Sequence, residues 1–302
     1  MKISTQAGMI ERKYGKDVCF KILANAGFDG IDYLLSEKAI PWNNNLFSDV
    51  LTSAFKEYFE SVAKQIRAYG LEVFYTHSPY RRPFQCDAEG YAMVLQQTIR
   101  AIYATAYMNC PFIVVHPIVH PDFNNGEQKD AALDANIKYF KKLAPALKES
   151  GVVACIENLY YGAVNEAKIP NACSDPDQLC ALIDTLNADC GNHFAACLDT
   201  GHAIVCGQDP AAFVRKLGKR LSALHVHDSL GKYDDHFLPG DGIGNWKDFV
   251  NALYEIEYGG VFNFEADGYM EDFARPVYND KVEVMQDAMK LLCTVGHAMT
   301  DR

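Results

Sequence analysis

The sequence predicts an α/β protein that folds as a closed (β/α)₈ barrel, and three observations lead to this prediction. Eight short apolar runs follow one another along the chain, and longer amphipathic stretches lie between them. Continuous apolar runs are typical of parallel strands buried on both faces, and a repeated strand–helix unit favours a barrel. An open doubly wound sheet would carry a glycine-rich phosphate loop after its first strand, and the sequence has none there.

The predicted elements can be placed from the periodicity of the apolar residues. The strands are predicted at KIST near residue 3 and then at 30–35, 71–77, 111–117, 152–158, 193–200, 221–228 and 261–267. Amphipathic helices are predicted at 50–70, 88–109, 130–151, 175–188 and 280–299. Glycines at positions 27, 70 and 151 are typical of the residue that follows a helix. Because no linker-like segment divides the chain, we expect residues 1–302 to form one domain.

Composition and charge narrow the class of protein. A hydrophobic fraction of 49% and a charged fraction of 22% exclude a disordered chain. The net charge of -11 argues against a broad surface for nucleic acid or anionic membranes. Ten cysteines without paired spacing, no signal peptide and no apolar stretch near the ~18 residues of a membrane span predict a reduced, cytoplasmic protein.

Metal-binding side chains follow the predicted strands, one strand after another. They are His77, His116, Glu157, Asp199 with His202, His225 with His227, Asp234 with His236, and Glu265. The carboxyl ends of barrel strands meet at one mouth, so these residues are expected to share a pocket. Clustered carboxylates repel one another unless a cation neutralises them, and the sequence therefore predicts a divalent metal site.

The mixture of carboxylates and imidazoles restricts the metal. It suits Mn²⁺ or Zn²⁺, with Co²⁺, Fe²⁺ or Mg²⁺ as alternatives, better than Ca²⁺. The lack of cysteine at these positions disfavours a structural zinc site.

Residues near the mouth are candidates for substrate binding. They are His77, Tyr80, Arg81, His116, His227 and Lys232. The glycine-rich GDGIG at 240–244 lacks the Lys-Ser/Thr of a phosphate loop, which favours a cluster of turns.

The motifs resemble those of the xylose-isomerase-like barrel enzymes. They are THSPY, VVHPIVH, IENLYYG, LDTGHA, LHVHD, DDHFLPGDG and FEAD, which occur in family order between about residues 3 and 270. That superfamily includes ketose 3-epimerases, sugar-phosphate isomerases, inositol-catabolism enzymes and abasic-site nucleases of the endonuclease IV type. The resemblance implies a TIM barrel that acts on a small sugar or on abasic DNA.

For an epimerase-like member, the resemblance implies one divalent ion held by four residues. These are Glu157, Asp199, His225 and Glu265. The two glutamates would also act as acid and base on opposite faces of the sugar, and His202 would contact a substrate oxygen. The chemistry is a metal-dependent isomerisation or epimerisation by proton transfer next to a carbonyl. The substrate-binding arginine expected soon after His225 in ketose epimerases is not evident, since Lys232 is the only cation of that loop, which leaves lyase or dehydratase chemistry on oxidised sugars or inositols open.

For a nuclease-like member, the resemblance implies two or three zinc ions. The family's nine ligand positions match His77, His116, Glu157, Asp199, His202, His225, Asp234, His236 and Glu265. The rim argues against a phosphate-gripping surface, because the segment 225–245 has four aspartates against one lysine. We therefore rank sugar chemistry above DNA cleavage, with a non-enzymatic binding or scaffold role third. A small-molecule sugar is the expected partner, and a homo-oligomer stays open.

Overall fold

The computed structural model describes residues 1–35, 52–79, 88–118, 126–161, 169–170, 173–273 and 281–301. Eight parallel strands form its central sheet. They are β1 (Ile3–Gln6), β2 (Gly30–Leu34), β3 (Glu72–His77), β4 (Phe112–Val115), β5 (Val153–Glu157), β6 (Phe194–Asp199), β7 (Leu221–His225) and β8 (Phe262–Phe264). From β1 to β7 each strand pairs with the next along the chain, and β8 pairs with β1. A separate two-stranded antiparallel pair joins 160–161 to 169–170.

Two hydrogen bonds close the sheet into a barrel between β7 and β8. The N–H of Val226 donates to the carbonyl oxygen of Asn263 at 2.8 Å, and the N–H of Glu265 donates to that of Val226 at 3.1 Å. The remaining seam, from β1 to β8, has three residue pairs in register. The predicted (β/α)₈ barrel is therefore confirmed.

Helices surround this barrel. They are α1 (Gly8–Tyr14), α2 (Lys16–Ala26), α3 (Ser53–Ala68), α4 (Ala88–Tyr107), α5 (Gly126–Ser150), α6 (Pro176–Cys190), α7 (Thr200–Val205), α8 (Pro210–Leu217), α9 (Trp246–Glu255), α10 (Asp267–Phe273) and α11 (Val282–Thr300). The five helices predicted from periodicity correspond to α3 to α6 and α11. Of the others, α2 was indicated only by Gly27, and short helices such as α7 contain too few turns to produce a periodic pattern.

Side chains alternate between the barrel interior and the helical layer, as the pleat of a strand requires. On β5, Ala154 and Ile156 join the core between strands and helices, whereas Cys155 belongs to a separate apolar cluster with Tyr75 and Val114. The next residue on the inward face of β5 is Glu157. The barrel interior is therefore apolar below and polar at the carboxyl ends of the strands, where the candidate site lies.

Two features of the described residues concern cysteine pairing and membrane-spanning helices. The nine cysteines within the described ranges are all free thiols. Within those same ranges, every helix is too short or too polar to cross a bilayer.

Replacing Gly30 by alanine should lower the free energy of unfolding by about 1–3 kcal/mol, because the added methyl group has no room. A Cβ atom there would lie 2.4 Å from the carbonyl oxygen of Glu72 and 2.5 Å from the ring of Phe74. Gly259→Ala is the control, since a Cβ atom there meets none of the described atoms within 4 Å. Urea denaturation measures the difference, and equal stability of the two variants would contradict this packing.

Candidate metal centre

Four acidic and imidazole side chains converge at the carboxyl end of the barrel. Glu157, Asp199 and His225 are the last residues of their strands, and Glu265 follows β8 directly. Each of the four offers a ligand atom, and these atoms all lie within 4.8 Å of one another. All four residues are buried, with Glu265 the most accessible at 7%. We refer to Glu157, Asp199, His225 and Glu265 as the central cluster.

The orientation of His225 tests whether the central cluster suits a cation. Its Nε2 lies 3.0 Å from Oδ2 of the buried Asp32, which directs Nδ1 toward the carboxylates. Nδ1 approaches Oε2 of Glu265 to 2.5 Å, yet within the described chain neither atom has a hydrogen-bond partner. Two adjacent, buried and unsatisfied ligand atoms fit a shared metal ion, because such groups are costly without a partner.

A second group of ligand atoms shares Glu157 with the central cluster. Nε2 of His77 and Nε2 of His116 lie 3.3 and 3.0 Å from Oε2 of Glu157. The other ring nitrogen of His77 lies 2.7 Å from the carbonyl oxygen of Ser78, which fixes the ring with Nε2 directed at Glu157. The ligand atoms of His77, His116 and Glu157 also lie within 4.8 Å of one another, so these three residues form a second group that could hold a cation.

A third group lies beside the central cluster, on the loop after β7. The ligand atoms of His227, Asp234 and His236 meet the same distance criterion of 4.8 Å. His202 approaches the group as well, since its Nε2 lies 3.3 Å from Oδ2 of Asp234. The imidazoles of His227 and His236 are stacked, with centroids 4.0 Å apart. His227 also faces the central cluster, because its Nε2 lies 3.0 Å from both carboxylate oxygens of Asp199.

The protein's own charges keep the glutamates of the central cluster ionised. Burial raises the pKa of Glu265, but the charges of His225 and His236 lower it by more than this, and the resulting pKa is about 2. Burial likewise raises the pKa of Glu157, and the charges of His116 and His225 bring it well below its ordinary value. The glutamates are thus carboxylates at neutral pH, as metal ligation and proton abstraction both require.

The pKa values of two imidazoles at the third group, those of His202 and His236, are raised instead of lowered. Burial lowers the pKa of His202, but the charges of Asp199 and Asp234 raise it well above its ordinary value. Burial also lowers the pKa of His236, and Asp234 raises it to about 10. Protons on these imidazoles balance the nearby carboxylates, and a divalent cation would displace such protons when it binds.

Local structure holds the ligands in place. Asp199 caps α7, because its Oδ1 accepts the N–H of His202 at 2.6 Å. The Asn158 side chain donates to the carbonyl oxygen of Asp199 and accepts its N–H, and the Asn158 carbonyl lies 2.8 Å from Nδ1 of His202. At Gly201 a Cβ atom would lie 1.9 Å from the His227 ring, so glycine is needed for the ring to approach. The motif LDTGH thus couples the end of β6 to β7.

An open cavity of about 380 Å³ lies beside the central cluster. It is lined by Gln6, Arg12, Asp234, Asp235, His236, Glu265, Asp267, Gly268 and Glu271. Five of these residues are carboxylic acids, and Arg12 is the single lysine or arginine among them. The space can hold a small molecule, and its charge disfavours a polyanionic ligand.

Among the described residues, the structure brings most of the sequence-predicted candidates together and leaves Lys232 apart from them. His77, His116, His202, His227, Asp234 and His236 all lie next to the central cluster. Lys232 is exposed, and its ammonium lies 5.0 Å from the ring centroid of Tyr233. Tyr80 and Arg81 lie outside the described residues.

Two supporting residues escaped the sequence reasoning. Asp32 lies in the middle of β2, in the apolar run GIDYLL. A single carboxylate in a buried strand needs a polar partner, and this was the signal that could have identified it. Gln6 ends β1, and its Nε2 donates to Oε1 of Glu265 at 3.2 Å. Gln6 acts on Glu265 from the neighbouring strand, whereas Asp32 on β2 reaches His225 from a strand that does not pair with β7.

Replacing Thr200 by valine should lower the free energy of unfolding by about 1–3 kcal/mol, because it leaves a buried N–H unpaired. The Thr200 hydroxyl accepts the N–H of His227 at 2.9 Å and donates to the His227 carbonyl oxygen at 2.7 Å. Thr200→Ser keeps the hydroxyl and should lose only about 0.8 kcal/mol for the missing methyl group. A serine variant as unstable as the valine variant in urea denaturation would contradict this role.

Similarity to known proteins agrees with this architecture. A D-psicose 3-epimerase of Enterocloster bolteae is 29% identical over 140 residues, which cover 46% of this chain and 40% of that protein. A D-psicose 3-epimerase of Clostridium cellulolyticum H10, crystallised with D-tagatose, superposes with a TM-score of 0.72 at 14% identity over the full length of both chains. A 3-keto-D-glucoside 4-epimerase of E. coli superposes with a TM-score of 0.68 at 18% identity over 97% of this chain and 99% of that one.

The extent of these matches differs. The chain spans about half the length of two curated relatives that it matches, 48% and 54%. The likeness to the crystal structures, at under 25% identity, concerns the fold. The sequence profile of the xylose isomerase-like TIM barrel matches residues 20–294, which is most of the chain. The chain therefore belongs to the xylose isomerase-like TIM barrel family.

Proposed function

We propose that this protein is a divalent-metal-dependent sugar isomerase or epimerase. The observation that carries the proposal is the central cluster, in which two ionised glutamates, an aspartate and an imidazole converge beside a cavity large enough for a monosaccharide. The family relatives that are named as epimerases of D-psicose and of a 3-keto-D-glucoside support the same reaction class.

Glu157, Asp199, His225 and Glu265 would hold the ion. Mn²⁺ and Zn²⁺ suit this set of three carboxylates and one imidazole, and Co²⁺ or Mg²⁺ are alternatives. When bound, such an ion acts as a Lewis acid and stabilises the negative charge that develops beside a carbonyl when a C–H proton leaves. Asp32 would keep the Nδ1 lone pair of His225 directed at the ion, since it binds the opposite ring nitrogen.

The two glutamates would carry the proton. As a carboxylate, one glutamate would remove the proton next to the carbonyl, and the other, once it has taken up a proton from solvent, would deliver that proton to the opposite face of the sugar. The first glutamate would then release the abstracted proton to solvent. Gln6 holds Oε1 of Glu265, which leaves Oε2 directed into the cluster. His202 would donate a hydrogen bond to a substrate oxygen, because Asp199 and Asp234 favour its protonated form.

The acidic cavity favours an uncharged sugar. Asp235, Asp267 and Glu271 add negative charge beyond the metal ligands, and Arg12 offsets only part of it. Hydroxyl groups can donate to such carboxylates, whereas a phosphate would be repelled. Free ketoses are therefore the first substrates to test.

Proton transfer can be tested without knowing the natural substrate. The Mn²⁺-loaded protein, incubated in D₂O with D-psicose, D-tagatose or D-fructose, should exchange a carbon-bound proton for deuterium, as detected by NMR. The exchange should stop after chelation and return with added Mn²⁺. Glu265→Gln should reduce exchange by about 10²–10⁴-fold with an unchanged circular dichroism spectrum.

Glu257→Gln is the control for the loss of one carboxylate, since Glu257 is exposed and pairs with Lys219 on the outer surface. It should exchange deuterium like the parent protein. Normal exchange in Glu265→Gln would refute the assigned role, and no exchange with any free or phosphorylated ketose would argue against the proposed function.

A second candidate function is an abasic-site endonuclease with two or three zinc ions. Its support is the arrangement of three neighbouring groups of ligand atoms, with Glu157 shared by two of them. Several adjacent cations could serve a phosphodiester, since multi-metal sites stabilise both the attacking and the leaving oxygen. Against it stands the acidic cavity, which offers little grip for DNA phosphates.

The two candidates differ in metal content and in DNA cleavage. We expect the purified protein, loaded with Zn²⁺, to leave an abasic-site duplex uncut and unbound at about 50 mM salt, because phosphate contacts dominate DNA affinity. Elemental analysis should find one ion per chain for sugar chemistry. Three zinc ions per chain together with salt-sensitive cleavage would favour the nuclease instead.

A further inference from the structure

The loop between β7 and α9 brings two residues of the third group to the mouth of the barrel. Asp234 and His236 lie on this loop, of which residues 228–245 are called the β7 loop. It contains little regular structure, and the side chain of Asp228 lies at its start. That side chain is fully buried.

Five N–H groups converge on the Asp228 carboxylate. Oδ2 accepts the backbone N–H of Gly240 at 2.9 Å, that of Gly242 at 3.0 Å and the indole N–H of Trp246 at 2.7 Å. Oδ1 accepts the N–H of Ser229 at 2.9 Å and that of Gly244 at 3.1 Å. A carboxylate with this many donors is well compensated for its burial, and it joins the two ends of the loop.

The glycine-rich sequence of the loop follows from this arrangement. A Cβ atom at Gly242 would lie 2.3 Å from Oδ1 of Asp228, so no larger residue fits there. Gly240 has a φ of +105°, in the left-handed region that favours glycine. The motif GDGIG therefore encloses an anion, as a phosphate loop does, but the anion belongs to the protein itself.

The backbone of Asp228 reaches the residue next to His236. Its N–H donates to the carbonyl oxygen of Phe237 at 2.9 Å, and its carbonyl oxygen accepts the N–H of Phe237 at 3.0 Å. His236 itself has a φ of +51°, a conformation that costs free energy in a residue with a side chain. The paired backbone next to it holds this conformation, and it also keeps the ring of His236 stacked on that of His227.

We propose that Asp228 is a positioning residue of the centre, an internal anion that folds the β7 loop and thereby places Asp234 and His236. It contacts neither the central cluster nor the cavity, and it acts through the loop. The catalytic meaning of this role rests on the proposed function, whereas the placement itself does not.

The test uses metal-free protein, and it observes the loop directly. Asp228→Asn preserves the shape of the side chain but replaces one acceptor oxygen by an NH₂ group that faces N–H donors. We expect the amide protons of Gly242 or Gly244 to exchange with solvent at least about tenfold faster. The imidazole NMR signals of His227 and His236 should also shift, because the stacked rings separate.

The control is Asp241→Ala, which removes an exposed carboxylate from the same loop and should leave these signals in place. A residue that only stabilises the fold would lower the melting temperature without moving the imidazole signals of the folded protein. Unchanged histidine signals in Asp228→Asn would therefore overturn the proposal.

A second variant tests for the anion itself. Asp228→Ala leaves five donors around a space the size of a carboxylate, so sodium formate should restore the histidine signals or, in an unfolded variant, the fold. Sodium chloride at equal ionic strength and formamide should not. Equal effects of formate and chloride would contradict an anion-binding role for the loop. Because neither substrate nor metal is present, these results do not depend on whether the protein proves to be an epimerase.

Discussion

The burial of several carboxylates at one end of the barrel is the constraint on which the rest of the structure depends. Glu157, Asp199 and Glu265 are almost inaccessible to water, and ionised groups in such surroundings require compensation. The strands supply it with imidazoles from β3, β4 and β7. The site thus consists of mutually neutralising acids and bases whose shared protons a divalent ion can replace. An apolar interior directly beneath it keeps these charges at the mouth.

A layer of polar residues behind the ligands determines what each ligand can do. Asp32 fixes the ring of His225, Gln6 holds one oxygen of Glu265, and Asn158 pairs with both backbone groups of Asp199. Gln6 and Asn158 lie at the end of, or directly after, the strand next to the ligand's own strand, whereas Asp32 on β2 reaches His225 from a strand that does not pair with β7. The barrel therefore positions both the candidate ligands and the polar residues that support them.

Much of the fold and of the ligand set could be predicted from the sequence, because both depend on local patterns. The runs FIVV and VACIE predict buried strands wherever they occur in the chain. A charged residue at the carboxyl end of such a strand is expected at the mouth of the barrel. The position of Asp32 could not be used in this way, since a mid-strand aspartate gives no indication of which neighbour it binds. The role of Thr200 escaped for the same reason: its partner His227 lies 27 residues away.

Three buried aspartates near the mouth show why residue type alone does not identify a ligand. Asp228 is surrounded by five N–H donors, so its oxygens are fully used and it cannot join the candidate metal centre. Asp32 binds Nε2 of His225, the ring nitrogen that points away from the central cluster. Asp199 also accepts hydrogen bonds, yet one of its oxygens lies within 4.8 Å of a ligand atom of each of the other three residues of the central cluster. In sequence, Asp228 stands next to two candidate histidines and resembles a ligand more than Asp32 does. Only the directions of the hydrogen bonds separate the residue that is placed to bind an ion from the one that holds a loop and the one that holds a candidate ligand.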